Sequence, residues 1–384
     1  MKTSTERILT THTGSLPRPD DLVQMMFDLE EGRPVDRSRL DERIRTAVVE
    51  VVRQQVACGV DVVSDGELGK PGYSNYVKDR LSGFEGAGSL RSRAEWDDFP
   101  EYFERMRQDA GLRHLKTPAC TGPVKLTDPE AVQRDIERFK AALAALDGPQ
   151  PEEAFMTAAS PGVIAHFLDN QYYASQEAYL AALADAMKPE YEAIVAAGFV
   201  LQLDCPDLAM TRHSGANRGL STEEFRRNIR RQVEALNHAV ADIPADRMRM
   251  HLCWGNYEGP HHLDVPLRDI IDVVFSARPS AVSFEACNPR HDHEWKLFEE
   301  VKLPDGKVII PGVLDSTTNY IEHPELVAQR IVRYARLVGR ENVLAGTDCG
   351  FGTFVGRSQV HPKITWAKLQ AMAEGARLAS RELW

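Results

Sequence analysis

The sequence predicts an α/β protein of the (β/α)8 barrel class, a TIM barrel. Short apolar runs alternate with longer amphipathic runs along the chain, and eight strand–helix pairs can be counted. A length of 384 residues is ordinary for such a barrel with an insertion. An open, doubly wound parallel sheet has the same alternation. The eight units, and the lack of a glycine-rich phosphate turn after the first strand, favour the closed barrel.

The predicted strands are spread over the whole chain. The clearest helices follow the third and fourth strands, over 176–197 and 222–241. The stretch 69–149 breaks the rhythm, and we expect it to be an insertion or lid after the second strand of a single domain spanning 1–384. The eight strands are expected at 7–12, 60–67, 155–159, 199–204, 249–253, 281–285, 308–315 and 342–349.

Composition and charge restrict the classes of partner. The net charge of −11 argues against nucleic acid or an anionic membrane, because both require a basic face. No apolar run approaches the roughly 20 residues that span a bilayer, and the N-terminus lacks a secretory apolar stretch. A cytoplasmic location is therefore expected, and a homo-oligomer is left open. The six cysteines lie far apart, which favours metal or catalytic use over a disulfide scaffold.

Polar residues stand at the carboxyl ends of the predicted strands. In a parallel barrel these ends meet at one mouth, where barrel enzymes place their active sites. The residues concerned are His12, Ser15, Asp65, Glu67, Asp204, Cys205, His251, Cys253, Glu285, Asp315, Asp348 and Cys349.

Four of these residues form a candidate metal site. His251 and Cys253 are two apart on a strand and therefore project to the same side. With Glu285 and Cys349 they offer nitrogen, sulfur and oxygen, a set that suits zinc, whereas two thiolates disfavour magnesium and calcium. The alternative is that the cysteines are small buried hydrophobes and that the histidine only satisfies a core hydrogen bond.

The motifs that carry these residues resemble the catalytic domain of cobalamin-independent methionine synthase. The resemblance runs from about residue 8 to the C-terminus and is to the short, single-barrel branch, which also contains epoxyalkane:coenzyme M transferase. It is carried by His251-Leu-Cys253, Ser283-Phe-Glu285 and Thr347-Asp-Cys349-Gly, and supported by Thr11-His-Thr-Gly-Ser15-Leu-Pro, Asp65-Gly-Glu67 and Leu203-Asp204-Cys205-Pro206.

The resemblance implies a zinc enzyme that activates a thiol. Zinc would hold the acceptor as a thiolate, which then attacks an electrophilic carbon: a folate methyl in the methionine synthases, or an epoxide carbon in the coenzyme M enzyme. Glu285 would be a ligand that the substrate thiol displaces. Ser15, Glu67 and Asp204 match positions that hold the amino-acid acceptor. The acids Glu67 and Asp204 suit its ammonium group, and we expect both to be catalytic.

Departures from the family concern the methyl donor. The loop Asp315-Ser-Thr-Thr-Asn319 lacks the histidine that is the family's proposed acid, and Phe167 stands where a tryptophan stacks on the pterin. Cys205 replaces a glutamate, either as a small buried residue or as an extra thiol.

Residues without a clear family counterpart complete the candidate set. His12 could contact a substrate anion or orient Ser15. Arg290 could bind a carboxylate or sulfonate through its planar fork, or belong to a solvated helix entry. His291, or His293 beside it, could supply the missing acid.

The favoured prediction is zinc-dependent transfer of a methyl or other alkyl group from a small donor to homocysteine or a related small thiol. One alternative is epoxide opening by coenzyme M or a similar thiol. Others are a decarboxylase of the uroporphyrinogen type, which needs no zinc, and a non-catalytic zinc-binding barrel.

Overall fold

Parallel strands form one curled sheet at the centre of the molecule. The computed structural model describes residues 1–88, 93–109 and 116–384. The sheet has seven strands in the order β1-β4-β5-β6-β7-β8-β9, and every neighbouring pair is parallel. Its strands are β1 (Val62–Val63), β4 (Glu153–Ala159), β5 (Val200–Asp204), β6 (Met248–Leu252), β7 (Ala281–Phe284), β8 (Val308–Leu314) and β9 (Gly346–Thr347). A separate antiparallel pair comprises β2 (Phe84–Glu85) and β3 (Ala119–Cys120).

The N-terminal segment joins the two edges of this sheet. The backbone N–H of Thr11 donates to Ala345 O at 2.8 Å, and the N–H of Ala345 donates to Leu9 O at 2.9 Å. On the other side the N–H of Val62 donates to Thr10 O at 3.0 Å. The eighth position of the ring is thus filled by the segment predicted as the first strand. The (β/α)8 prediction is confirmed.

Helices surround the sheet. The predicted helices over 176–197 and 222–241 are α7 and α8, which begin at the side-chain caps Ser175 and Ser221. The α-helices of the described residues are α1 (Asp20–Glu30), α2 (Arg37–Ala57), α3 (Glu95–Asp98), α4 (Pro100–Asp109), α5 (Glu130–Ala144), α6 (Pro161–Phe167), α7 (Gln176–Ala196), α8 (Thr222–Ala239), α9 (Ile271–Phe275), α10 (Pro324–Val338) and α11 (Pro362–Leu383). Short 3-10 helices include Pro206–Leu208, Leu267–Asp269 and Asp292–Glu299. No helix in the described parts of the chain is long and apolar enough to cross a membrane.

The range 69–149 contains more than a loop insertion. It holds the β2–β3 pair, α3 and α4, while residues 89–92 and 110–115 lie outside the described chain. Helix α5 lies at the end of this range. It contacts both α2 and α7 and therefore belongs to the outer ring of helices. The single domain with an insertion stays a prediction, and the packing of α5 assigns that helix to the barrel.

The barrel interior changes from apolar to polar toward the mouth. Its lower part is filled by a buried cluster of Leu9, Val62, Phe155, Val200, Ala281, Val308, Ile310 and Leu344. Above it lies Arg249, whose guanidinium is 3.5 Å from the centre of the Phe155 ring and donates to Gln202 Oε1, Thr11 Oγ1 and His12 O. Burial lowers the pKa of Arg249 to about 9. This polar layer is the floor on which the strand-end residues stand.

Candidate metal centre and active site

Three predicted metal ligands come together at the barrel mouth. His251 is in β6, Cys253 follows that strand directly, and Cys349 follows β9. Their ligand atoms all lie within 4.8 Å of one another, and each residue is at most 5% exposed. The spacing of two along a strand directs His251 and Cys253 to the same side, and the closed ring brings Cys349 to them.

The chemistry of this cluster fits a metal ion. Both ring nitrogens of His251 are buried without a hydrogen-bond partner among the described residues. Buried polar atoms are normally paired, because leaving one unpaired costs about 1–3 kcal/mol. The Cys349 thiol, as hydrogen-bond donor, lowers the pKa of Cys253, and the same contact raises the pKa of Cys349. One nitrogen and two sulfurs are a donor set that zinc prefers.

Glu285, the fourth predicted ligand, lies beside the cluster but is not a member of it. Its Oε1 accepts from the backbone N–H of Trp254 at 2.7 Å, and its Oε2 accepts from Asn288 Nδ2 at 2.7 Å. Burial raises the pKa of this carboxyl group. These bonds hold Glu285 next to the residue that follows Cys253, and its role as a ligand stays a prediction.

Asp348 ties the loop after β7 to the strand that carries Cys349. Its Oδ1 accepts from the backbone N–H groups of Ala286 and Cys287 at 2.8 and 3.1 Å. Its Oδ2 accepts from the backbone N–H and the side-chain amide of Asn288 at 2.9 and 3.0 Å. Asn288 therefore bridges Asp348 and Glu285. Sequence reasoning placed Asp348 at the mouth but missed Asn288, because no spacing pattern marks this contact.

Asn256 joins three of the loops at the mouth. Its Nδ2 donates to Gly350 O at 2.7 Å, and its Oδ1 accepts from Ser316 Oγ at 3.0 Å. Its backbone carbonyl accepts from Gln359 Nε2 at 2.8 Å. Asn256 lies three residues after Cys253, and Gly350 follows Cys349, so this one side chain links the segments that carry the two thiols. Its position in a loop after the metal motif was its only mark in the sequence.

An acidic pair lies on the same mouth. Glu67 has a positive φ of 58°, its Oε1 accepts from Thr157 Oγ1 at 2.9 Å, and its buried Oε2 has no partner among the described residues. Asp204 Oδ1 accepts from Gln202 Nε2 at 2.8 Å. Burial raises the pKa of both carboxyls, and repulsion from Glu67 adds to the rise for Asp204. Ser15 lies against Gly350, and a Cβ at position 350 would collide with the hydroxyl of Ser15.

Aromatic rings line one side of this region. Phe167, at the end of α6, lies edge-on to Tyr73 with ring centres 5.9 Å apart. Phe354 is 5.3 Å from Tyr73 and 6.1 Å from Phe167. Burial raises the pKa of Tyr73, and charge at Cys253 and Cys349 adds to the rise, so Tyr73 is near enough to the metal cluster to sense its charge. Sequence reasoning named Phe167 alone.

Comparison with known proteins identifies relatives of this arrangement. No model of a known protein family matches the chain. It is 24% identical over 375 residues to methionine synthase of Thermococcus kodakarensis, covering 97% of this chain and 94% of that protein. It is 25% identical to methionine synthase of Saccharolobus solfataricus, covering 97% and 95%. The solved B12-independent methionine synthase of Shewanella sp. W3-18-1 shares the fold, with a TM-score of 0.72, 20% identity and coverage of 98% and 99%.

The chain is similar to methionine synthases over nearly its whole length, and it shares the fold of a B12-independent one. The resemblance drawn from the motifs is thereby confirmed, and the alignment covers nearly the whole length of this chain and of each relative. The residues without a clear counterpart in that family are His12, Arg290 and His291.

In this relative of the methionine synthases His12 is part of the barrel interior. Its Nε2 is 2.7 Å from Gln55 Oε1, and its Nδ1 accepts from the backbone N–H of Gly14 at 3.1 Å. Burial lowers its pKa to about 3, so the ring is neutral. Both nitrogens are used, which leaves none for a substrate anion. The bond to Gly14 ties His12 to the turn that leads to Ser15, and its role in orienting Ser15 stays a prediction.

His291 is also fully engaged. Its Nδ1 is 2.9 Å from Glu294 Oε2, its Nε2 is 3.2 Å from Asp264 Oδ2, and its ring lies 4.1 Å from that of Trp254. Burial opposes its charge, but these two carboxylates raise its pKa to about 10. A cation bound on both sides is a poor proton donor, so the geometry does not support His291 as the acid. The His291 ring instead packs against the indole of Trp254, the residue that follows Cys253.

The remaining candidates separate by burial. Arg290 is exposed on the loop after β7, so nothing fixes its guanidinium toward the metal cluster. Cys205 is completely buried, with its Sγ 3.5 Å from Leu203 O. Burial raises the pKa of Cys205, as expected for the small buried residue rather than for a reactive thiol.

Proposed function

We propose that this protein is a zinc-dependent methyltransferase that alkylates a small thiol, homocysteine or a close analogue. The observation that carries the proposal is the buried cluster of His251, Cys253 and Cys349, with its unpaired imidazole, at the mouth of a barrel. The relatives of the chain bear the name methionine synthase, which agrees with methyl transfer.

The acidic pair would bind the amino group of the acceptor. Glu67 Oε2 is buried and unpaired, so it needs a hydrogen-bond donor that the described residues do not provide. An ammonium group supplies both the donor and the charge that favours ionised Glu67 and Asp204. With Ser15 beside Gly350, these groups would orient the thiol end of the acceptor toward the cysteines.

His251, Cys253 and Cys349, with Glu285 as the fourth predicted ligand, would hold zinc, which would supply a positive charge that favours the deprotonated form of the acceptor thiol at neutral pH. Other residues of the chain shape the side from which the alkyl donor approaches. Tyr73, Phe167 and Phe354 form an apolar wall that excludes water from the side where the alkyl donor approaches.

The loop after β8 bears on the choice of donor. Asp315 Oδ1 accepts from the N–H and the hydroxyl of Thr317 at 2.7 and 2.8 Å, so this carboxylate organises its own loop. No histidine lies between Asp315 and Asn319. The proton that a folate nitrogen or the oxygen of an opened epoxide takes up must then come from outside this stretch, and epoxide opening by a thiol stays the second candidate.

Isothermal titration of the zinc-loaded protein tests the proposal. Homocysteine, coenzyme M, glutathione and cysteine are titrated in two buffers of different ionisation enthalpy, which reports proton release. We expect homocysteine to bind with release of its thiol proton and the metal-free protein not to bind it. Binding of coenzyme M alone would favour the epoxide reaction, and no zinc-dependent binding of any thiol would overturn thiol activation.

A further inference from the structure

One arginine at the active-site mouth has no side-chain partner in the described parts of the chain. Arg357 lies in the loop that leaves Cys349, and its backbone N–H donates to Phe354 O at 3.1 Å in a tight turn. Two backbone hydrogen bonds join this loop to the segment that contains Pro71 and Tyr73. Tyr73 N–H donates to Thr353 O at 3.2 Å, and Val355 N–H donates to Pro71 O at 2.9 Å. Arg357 is thus held where Phe354 and Tyr73 face the metal cluster.

The guanidinium of Arg357 is partly buried and makes no hydrogen bond or ion pair with any described residue. Burial lowers its pKa, and the charges that act on it are those of Tyr73, Arg93, Cys349 and Tyr257. The backbone bonds that join this loop to Pro71 and Tyr73 place Arg357 beside the aromatic side of the mouth.

Arg93, the other arginine of this region, already has a carboxylate partner. Arg93 donates to Glu95 Oε1 at 2.9 Å and to Trp254 O at 3.0 Å. Arg357 has no such carboxylate, so its charge gives the mouth a local positive spot on a molecule of net charge −11. Removing an unpaired charge from water is unfavourable, and an incoming anion would relieve that cost.

We propose that Arg357 binds a carboxylate of a substrate through its planar guanidinium, as a subsite of the thiol-alkylating centre. The inference rests on the proposed function, because an amino-acid thiol whose ammonium meets Glu67 and Asp204 still presents a carboxylate. The alkyl donor is the other source of that group. Arginine suits either, since its fork pairs with both carboxylate oxygens at once.

Equilibrium binding to the zinc-loaded protein tests the acceptor as the source. Homocysteine is compared with 3-aminopropane-1-thiol, which is homocysteine without the carboxylate. We expect the wild-type protein to prefer homocysteine by roughly 10- to 100-fold, the usual strength of a charged hydrogen-bonded pair. Arg357→Gln should abolish that preference and leave the affinity for the aminothiol unchanged. Arg357→Lys, which keeps the charge but not the fork, should fall between them.

The donor is tested in the same variants at saturating homocysteine. The probes are 5-methyltetrahydrofolate and 5-methyltetrahydropterin, which lacks the glutamyl carboxylates. If the carboxylate belongs to the donor, Arg357→Gln removes the preference between these two and leaves the preference between the two thiols intact. Arg381→Gln, an exposed change on α11, is the matched control and should bind all four ligands as wild type does.

Two results would overturn the inference alone, and a third would overturn it together with the proposed function. If Arg357→Gln has normal zinc content and melting temperature yet retains both preferences, Arg357 binds no substrate carboxylate. A wild-type protein that binds the thiols and the donors without regard to their carboxylates would exclude the subsite as well. If zinc-loaded wild type binds no thiol at all, the proposed function itself fails, and the inference fails with it.

Discussion

His251 is a buried imidazole without a hydrogen-bond partner among the described residues. His12, a few residues into the chain, has both ring nitrogens paired. The two histidines stand at the ends of predicted strands, and the sequence distinguishes them only by the cysteine two residues after His251. Their difference arises from packing, because Gln55 reaches His12 from helix α2, whereas the ligand atom of His251 lies within 4.8 Å of the two thiols.

The ligand set is tested by metal content. Cys349→Ser should lower zinc affinity by more than about 100-fold, because changes to supporting residues alone cost 10- to 100-fold. Glu285→Gln should have a smaller effect, since Glu285 lies outside the three-residue cluster. Zinc retained after dialysis against a chelator is the measurement. Cys58→Ser, on a distant, partly buried cysteine, should keep its zinc. Full zinc in Cys349→Ser would remove that residue from the ligand set.

The ion pairs of His291 predict a pH dependence of stability. Its pKa rises from 6.5 to about 10 in the folded protein, so its contribution is complete below pH 6.5 and is lost between pH 6.5 and 10. Chemical unfolding followed across this range should show stability falling, by at most about 5 kcal/mol from this group. The loss should be reduced in His291→Gln and unchanged in His238→Gln, an exposed histidine on α8. Equal pH profiles for all three proteins would show that His291 is not charged in the fold.

At the scale of elements, the strands could be predicted but their connections could not. The alternation of apolar and amphipathic runs located the strands, and the spacing of two placed His251 and Cys253 together. The contacts of Asp348 and Asn256 link residues about 60 to 100 positions apart. Such contacts depend on how neighbouring loops meet above the barrel, and no local pattern encodes them. The contacts of α5 with α2 and α7 are likewise not encoded locally, and the insertion over 69–149 stays a prediction.

The loops at the mouth should depend on Asn256 for their spacing. Asn256→Ala breaks the bonds to Gly350 and Ser316, so the segments of Cys253 and Cys349 lose their common support. We expect zinc affinity to fall by about 10- to 100-fold, measured by competition with a chromophoric chelator. Circular dichroism should remain that of wild type. Asn237→Ala, whose amide bonds to Ser276 O and to the N–H of Arg278 rather than to these loops, is the control. Unchanged zinc affinity in Asn256→Ala would contradict a positioning role.

At the scale of the whole molecule, the closed barrel is held together without the metal. Backbone bonds close the ring through Leu9, Thr10 and Thr11, and an apolar cluster fills its lower interior. The metal cluster sits at the rim, above the polar layer of Arg249. A homo-oligomeric state stays a prediction, since nothing in the single chain bears on it.

Removal of zinc should therefore leave the fold intact. We expect chelation to abolish thiol binding while the circular dichroism spectrum persists and the melting temperature falls by only a few degrees. A small metal-dependent domain would behave differently and unfold without its ion. Cooperative unfolding of the protein on chelation would assign the site a structural role and exclude the proposed one.

The central claim is that the metal cluster binds the sulfur of a substrate. X-ray absorption at the zinc edge tests it most directly, because zinc–sulfur and zinc–oxygen distances are resolved near 2.3 and 2.0–2.2 Å. The account predicts two sulfur ligands in the zinc-loaded protein and three after homocysteine is added, with loss of one oxygen or nitrogen ligand. A coordination shell that stays unchanged with homocysteine, coenzyme M, glutathione and cysteine would contradict it.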